Sequence, residues 1–202
     1  MSPFLQLEYR DGVRLLRLLS VDGTNRLTRG CVRALTDTVD ELTRAPEPLL
    51  ITGNDNFFSA GADLTEIADL TGPEALEFSK MGQRLMTAIE RFPAVVYAAI
   101  SGYCMGGGLD LALACHRRIC SPDAIFAHRG AALGLITGWG GTQRLPRLIG
   151  KARAIQAFVA AEKIDARESL RLGLVDAMAA DPVAEAVRLV QTHKPASGTP
   201  SA

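Results

Sequence analysis

The run Cys104-Met105-Gly106-Gly107-Gly108-Leu109-Asp110 lies between two apolar patterns of different period. Before it stands the strand-like Ala94-Val95-Val96-Tyr97-Ala98-Ala99-Ile100, and after it the helical Leu109-Asp110-Leu111-Ala112-Leu113-Ala114-Cys115. Three glycines at such a junction leave backbone N–H groups unshielded at a helix N-terminus, where aligned peptide dipoles favour negative charge. The pattern fits an anion cradle or an oxyanion hole. It also fits tight strand–helix packing, with Asp110 complementing the dipole in the first turn. A nucleotide phosphate loop does not fit, because neither a Gly-Lys-Ser/Thr ending nor a Gly-x-Gly-x-x-Gly opening is present.

A second segment repeats the arrangement. Leu49-Leu50-Ile51-Thr52-Gly53 reads as a short buried strand, followed by Asn54-Asp55-Asn56-Phe57-Phe58-Ser59-Ala60-Gly61-Ala62-Asp63-Leu64. Small residues again leave the backbone open. Two such turns can each supply one N–H to a single oxygen, and an oxyanion hole needs two converging donors.

With these segments in place, the chain resembles the enoyl-CoA hydratase/isomerase, or crotonase, superfamily. Phe58 to Leu64 is similar to its first signature and Ser101 to Cys115 to its second. Ala132-Leu133-Gly134-Leu135 with Gly138-Trp139-Gly140-Gly141-Thr142-Gln143-Arg144-Leu145 is similar to the third. Leu172-Gly173-Leu174-Val175-Asp176 matches a further turn, and the resemblance runs to near residue 190.

The resemblance implies a right-handed spiral of β-β-α turns and an acyl-CoA thioester as substrate. By the same mapping the thioester oxygen sits between the backbone N–H groups of Ala62 and Gly107, which hold an enolate. One such donor is worth about 3 kcal/mol in a transition state. Ala60, Asp63 and Leu64 map to the nucleotide and pantetheine side of the cleft and Gly106 to its floor. Arg129, Gly130 and Gly138 are assigned to substrate binding as well. No separate cofactor is implied, since coenzyme A belongs to the substrate.

Family hydratases use two carboxylates. The first maps to Asp110, which is shorter than the usual Glu by one methylene, roughly 1.5 Å of reach. The second maps to Gly130, which carries no side chain, within His128-Arg129-Gly130. Thr137 stands where the third signature usually has proline. A single carboxylate can shuttle a proton between two carbons, as a double-bond isomerase requires. Family isomerases, however, place their lone Glu at the Gly130 position. His128 or Arg129 could substitute as acid or as an anchor for an anionic group, although strand alternation after Phe126 and Ala127 turns at least one of them to solvent. As a first-turn residue, Asp110 is expected to have its pKa lowered by the dipole. Glu66 and Asp69 read as a solvated loop. The competing reading is a degenerate, non-catalytic acyl-CoA-binding or subunit-contact protein on the same fold.

Composition sets the remaining bounds. The 202 residues, 48% hydrophobic, suit one α/β domain over residues 1–190 with a sizeable core. A Pro/Gly/Ser-rich tail, 191–202, is expected to be disordered. Lys and Arg number 22 against 22 Asp and Glu, so no electrostatic case exists for nucleic acid or an anionic membrane. The N-terminus has no basic, apolar leader pattern, and the cytoplasm is the expected location. Cys31, Cys104, Cys115 and Cys120 lack metal-type spacing and read as reduced core thiols rather than ligands with His116, so no metal is expected.

Along the chain, Asp11-Gly12 marks a hairpin between two alternating runs. Thr28 is positioned to cap a helix to about Arg44, and a helix is expected over 74–91 with Leu76, Met81, Leu85, Met86 and Ile89 inward. The resemblance also implies a homo-oligomer, a trimer or hexamer. Relatives continue into further helices, so Leu170, Leu174, Val183, Val187 and Leu189 are expected to depend on a neighbour for cover.

Overall fold

The computed structural model describes residues 2–192. It opens with the expected hairpin, β1 (Leu5–Arg10) antiparallel to β2 (Val13–Leu18). The turn between them holds Asp11 at φ 53° and Gly12 at φ 85°, the left-handed pair that a two-residue hairpin requires. Helix α1 (Arg29–Leu42) follows. Thr28 caps it by accepting the Cys31 N–H at 3.2 Å, and Cys31, Val32, Leu35, Val39 and Leu42 form its buried face.

Three turns of one pattern come next. The first is β3 (Leu49–Thr52), β4 (Phe57–Ser59), α2 (Leu64–Ala68) and α3 (Gly72–Glu90). The second is β5 (Val96–Ile100), β6 (Tyr103–Met105) and α4 (Gly107–Ala114). The third is β7 (Arg117–Cys120), β8 (Ile125–Ala127), a 3-10 turn (Gly130–Leu133), α5 (Gly141–Ile149) and α6 (Lys151–Val159). The chain then continues through β9 (Ile164–Asp165), α7 (Ala166–Arg171), β10 (Ala177–Met178) and α8 (Pro182–Thr192).

The odd-numbered strand of each turn joins a six-stranded sheet, ordered β1-β2-β3-β5-β7-β10, and its partner joins a second, four-stranded sheet, β4-β6-β8-β9. Pairing between successive turns is parallel in both sheets. The result is the right-handed spiral of β-β-α turns, the hand that parallel crossovers take.

Burial explains the apolar runs. Leu16 and Leu18 of β2 face the main core with Leu35, Ile51, Leu85 and Leu109, whereas Val13 and Leu15 face a second core with Leu50, Tyr97, Ile119, Val187 and Val190. Both faces of the larger sheet are thus covered, α8 closing the outer one, and strands buried on two sides read as near-continuous hydrophobic stretches.

Several sequence expectations need correction. Helix α3 starts at Gly72, with a Thr71–Glu74 capping box and Pro73 in its first turn. Leu76 on that helix is 56% exposed; Phe78 and Gly82 face inward with Leu85, Met86 and Ile89. Glu66 lies within α2, and its carboxylate accepts the Arg29 N–H at 2.7 Å, serving the free donors at the start of α1. Gln191 and Thr192, assigned to the tail, complete α8; the rest of the expected tail lies outside the described residues. The late helices also need less cover from a neighbour than expected. Leu174 and Val187 are buried, and Val183 and Leu189 pack against the second core, leaving only Leu170 of that set exposed.

Candidate active site

The spiral stacks three chain segments at one end. These are 60–62 after β4, 105–110 around the start of α4, and 128–139 after β8. Between them opens a cleft of about 430 Å³. Ala60, Ala62, Leu64, Gly106, Gly107, Asp110, Arg129, Gly130 and Gly138 all line it. Asp63 does not; its carboxylate caps α2 by accepting the Thr65 N–H at 2.9 Å.

Two backbone amides lie close together on the cleft wall. A Cβ built on Gly107 would stand 3.2 Å from the Ala62 nitrogen, and one built on Gly61 would stand 3.1 Å from the Gly107 nitrogen and 2.6 Å from the Met105 carbonyl. Glycine is therefore required at both positions for the two turns to approach. Gly107 opens α4, so its N–H has no carbonyl one turn back. Gly61 instead offers its carbonyl to the Leu27 N–H at 2.8 Å, which fixes the turn before Ala62. Among the described residues, neither the Ala62 nor the Gly107 N–H is taken by an acceptor. The Gly106 N–H is tied to the Ala127 carbonyl at 2.8 Å, which registers the start of α4 against β8.

Asp110 lies at the base of the cleft, 2% exposed. Its side chain meets Thr137 and His128 of the third turn. Thr137 donates its hydroxyl hydrogen to Asp110 Oδ2. Oδ1 faces His128 Nε2 at 3.4 Å, and among the described residues neither atom makes another hydrogen bond of ordinary geometry. Burial pushes the Asp110 carboxyl up to about 7, against the pull of the Thr137 hydroxyl, the Arg144 charge and the Gly141 backbone. The expected lowering by the dipole is overturned, because desolvation of a buried carboxylate outweighs a helix terminus. His128, equally buried, is lowered to about 4 for the same reason.

Thr137, Gly141 and Trp139 matter here beyond the residues singled out from sequence for the site, and His128, read there as a possible acid or anchor, proves to be a neighbour of Asp110. His128 and Thr137 contact Asp110 directly. Gly141 makes room for them, since a Cβ there would meet His128 Nε2 at 2.7 Å and the Thr137 methyl at 2.9 Å. Trp139 is buried, its ring centroid 5.2 Å from that of Phe78, and its indole N–H donates to the Phe78 carbonyl at 3.2 Å. That packing pins the 134–140 loop to α3 and sets the far wall. The glycine-rich third signature was the available signal for Gly141 and Trp139. The contacts of His128 and Thr137 are purely tertiary.

Alternation after β8 works as expected: His128 turns in and Arg129 is exposed at the rim. At Gly130 a Cβ would stand 2.7 Å from the Leu135 carbonyl oxygen, whose own residue donates its N–H to Gly130 at 2.8 Å. The local backbone leaves no room for a side chain without a shift. The four cysteines are buried, and burial raises Cys31, Cys115 and Cys120 to about 12 and Cys104 in the same direction, as for core thiols. No helix among the described residues is long and apolar enough to cross a membrane.

Comparison with known proteins agrees with this architecture. A probable enoyl-CoA hydratase of Bacillus subtilis (strain 168) is 42% identical over 160 residues, which cover 78% of this chain and 62% of that protein. The chain thus spans less than two thirds of that relative's length. Among solved structures, DspI of Pseudomonas aeruginosa superposes with a TM-score of 0.89 at 34% identity, over 94% of this chain and 74% of its own. Enoyl-CoA hydratase from Thermoplasma volcanium GSS1 gives 0.90 at 29% identity, over 96% and 79%. Residues 8–197 match the enoyl-CoA hydratase/isomerase family as a whole, and the chain belongs to that family.

Proposed function

We propose that the cleft binds an acyl-CoA thioester and carries out enolate chemistry on it, of the hydratase or isomerase type. The observation that carries this reading is the approach of the Ala62 and Gly107 amides, both without acceptors, on the wall that also holds Asp110. In this reading the two N–H groups receive the thioester oxygen as charge develops on it, a task for preorganised donors in a low-dielectric site. Asp110 is the acid/base. A carboxyl near neutrality can both take and return a proton, which suits that task better than a fully ionised one. The apolar wall of Leu64, Ile67, Leu70, Phe78, Leu133 and Ile136 supports an apolar acyl chain. Coenzyme A enters as part of the substrate, with no further cofactor.

A second reading, a non-catalytic acyl-CoA binder on the same fold, is favoured by one observation: Gly130 has neither a carboxylate nor space for one. The test is to incubate the purified chain with short and medium enoyl-CoA and 3-hydroxyacyl-CoA thioesters and to follow products by mass spectrometry. Hydrated or double-bond-shifted products that disappear in Asp110→Asn support the enzyme. Saturable binding without conversion supports the binder, and the absence of binding rejects both.

A further inference from the structure

The site described above leaves one pair of atoms unexplained. Asp110 Oδ1 and His128 Nε2 are both fully buried, face each other at 3.4 Å, and make no hydrogen bond of ordinary geometry among the described residues, the Gly141 backbone lying beside Oδ1. Unpaired buried polar atoms are uncommon and costly, and two of them in mutual reach point to a bond between them. The separation is slightly beyond an ordinary hydrogen bond, and such contacts in unliganded sites often tighten only when substrate is seated. The surroundings hold the pair in place. Thr137 fixes Oδ2, Gly141 provides the space, and the His128 ring packs 5.3 Å from that of Phe158 on α6.

We propose that His128 is the positioning partner of Asp110 in proton transfer, the two forming one couple that works without a carboxylate at Gly130. The proposal rests on the reading that the cleft turns over acyl thioesters. In the base form Asp110 is a carboxylate accepting the Nε2–H of a neutral imidazole. A C–H bond next to the thioester breaks, the proton passes to the carboxylate, and the bond's electron pair moves into the carbonyl to give the enolate. The couple is then neutral. Returning the same proton to another carbon of the conjugated system, with the electron pair forming the new C–H bond, restores the couple and completes a double-bond shift. No water, oxidant or second acid is consumed. The one-couple arrangement favours this 1,3 proton shift over hydration, which needs a separate donor and acceptor.

The titration pattern is compatible with the geometry. Burial raises the carboxyl and lowers the imidazole, so near neutral pH the exchangeable proton resides on the carboxyl side of the couple. Other charged or titratable groups facing the couple are Arg144 of α5, which stabilises the carboxylate, and Cys104 of β6, which burial keeps protonated.

The test uses the whole chain with nitrogen-15-labelled histidine and records imidazole shifts from about pH 5 to about pH 9, with no ligand. His116 supplies an internal contrast, since its Nδ1 accepts the Val96 N–H at 2.8 Å and it stands apart from Asp110. The expected result is a His128 Nε2 shift that follows an inflection near neutrality without conversion to imidazolium, and loss of that inflection in Asp110→Asn. A His128 signal flat through neutrality, or one that titrates as an ordinary imidazolium, overturns the couple even if acyl-CoA is turned over. In kinetics, His128→Gln, which keeps a donor, should stay close to the parent, whereas His128→Leu removes the donor to Asp110. His128→Leu is expected to lower kcat by about tenfold or more and to displace the inflection of the pH profile, with KM changed less than about twofold. An unchanged profile in His128→Leu also overturns the couple. If the coupled titration is seen but no acyl thioester is converted, the proposed function fails and the couple stands.

Discussion

Thr137 donates its hydroxyl hydrogen to Asp110 Oδ2, joining two residues 27 positions apart across the cleft floor. The contact ties the loop after β8 to the first turn of α4. It also favours the ionised carboxyl, in opposition to burial.

Replacing Thr137 by Val removes that donor while keeping the shape of the side chain. The Asp110 carboxyl should then rise above about 7, the balance at which burial is opposed by Thr137, Arg144 and the Gly141 backbone. Any activity that requires the carboxylate should shift its inflection to higher pH. Stability should fall by about 1–3 kcal/mol at neutral pH through the unpaired oxygen, as urea denaturation can measure. Thr137→Ser should restore both.

Asp110 and His128 should nearly cancel in the pH dependence of stability. The carboxyl moves from 3.8 up to about 7 on folding and the imidazole from 6.5 down to about 4. Across the interval between about 4 and 6.5, folded and unfolded chains each hold one proton on this pair, on the carboxyl when folded and on the imidazole when unfolded. The single variants should expose opposite slopes. In His128→Gln, the folded chain holds the extra proton, so the Asp110 contribution is greatest at low pH and is lost as pH rises through about 7. In Asp110→Asn, the His128 contribution is full above 6.5 and is lost as pH falls through about 4. Parallel urea midpoints for all three proteins across that range would contradict this account.

Gly82 on α3 faces the Trp139 indole so closely that a Cβ would overlap the ring. Gly82→Ala should displace the tryptophan and cost about 1–3 kcal/mol, despite alanine's better helix propensity. A lowered thermal midpoint together with red-shifted tryptophan emission is the expected observation. A stabilised protein would show that the loop accommodates the methyl group.

Arg129, exposed at the cleft rim, should act on affinity rather than on folding. Arg129→Ala should leave the thermal midpoint unchanged and weaken acyl-CoA binding severalfold at low salt. The difference should shrink towards about 1 M salt, where exposed charges are screened within about 3 Å. A salt-independent loss would point to a packing role for the guanidinium's stem.

Much of this architecture was legible in the residues. The Asp11-Gly12 turn, the Thr28 cap and the Gly106-Gly107-Gly108 junction each carry a local backbone requirement that only certain residues satisfy. Strands β4 and β6 were not legible, for with three residues apiece an alternating pattern cannot declare itself; they are defined by parallel pairing with each other across 46 residues, as at Phe57 and Tyr103. The outward turn of Leu76 is not legible either, because apolar spacing alone does not say which face of α3 meets the core; Phe78 and Gly82 take the inner face instead. At the site, Asp110 was identifiable as a cleft residue, but its titration was read from the helix terminus alone. The terms that decide it, burial together with Thr137 and Arg144, arrive from the next turn of the spiral.

Trp139 is the chain's one tryptophan, and it is buried where α3, Gly107 and the third-turn loop meet. Its indole becomes enclosed only when all three turns have docked, and parallel pairings this distant in sequence form late and slowly. Intrinsic fluorescence is thus a built-in clock for this protein. In a refolding experiment the blue shift of that single emitter should mark the moment at which the cleft comes into existence, rather than the earlier collapse of the hairpin and α1.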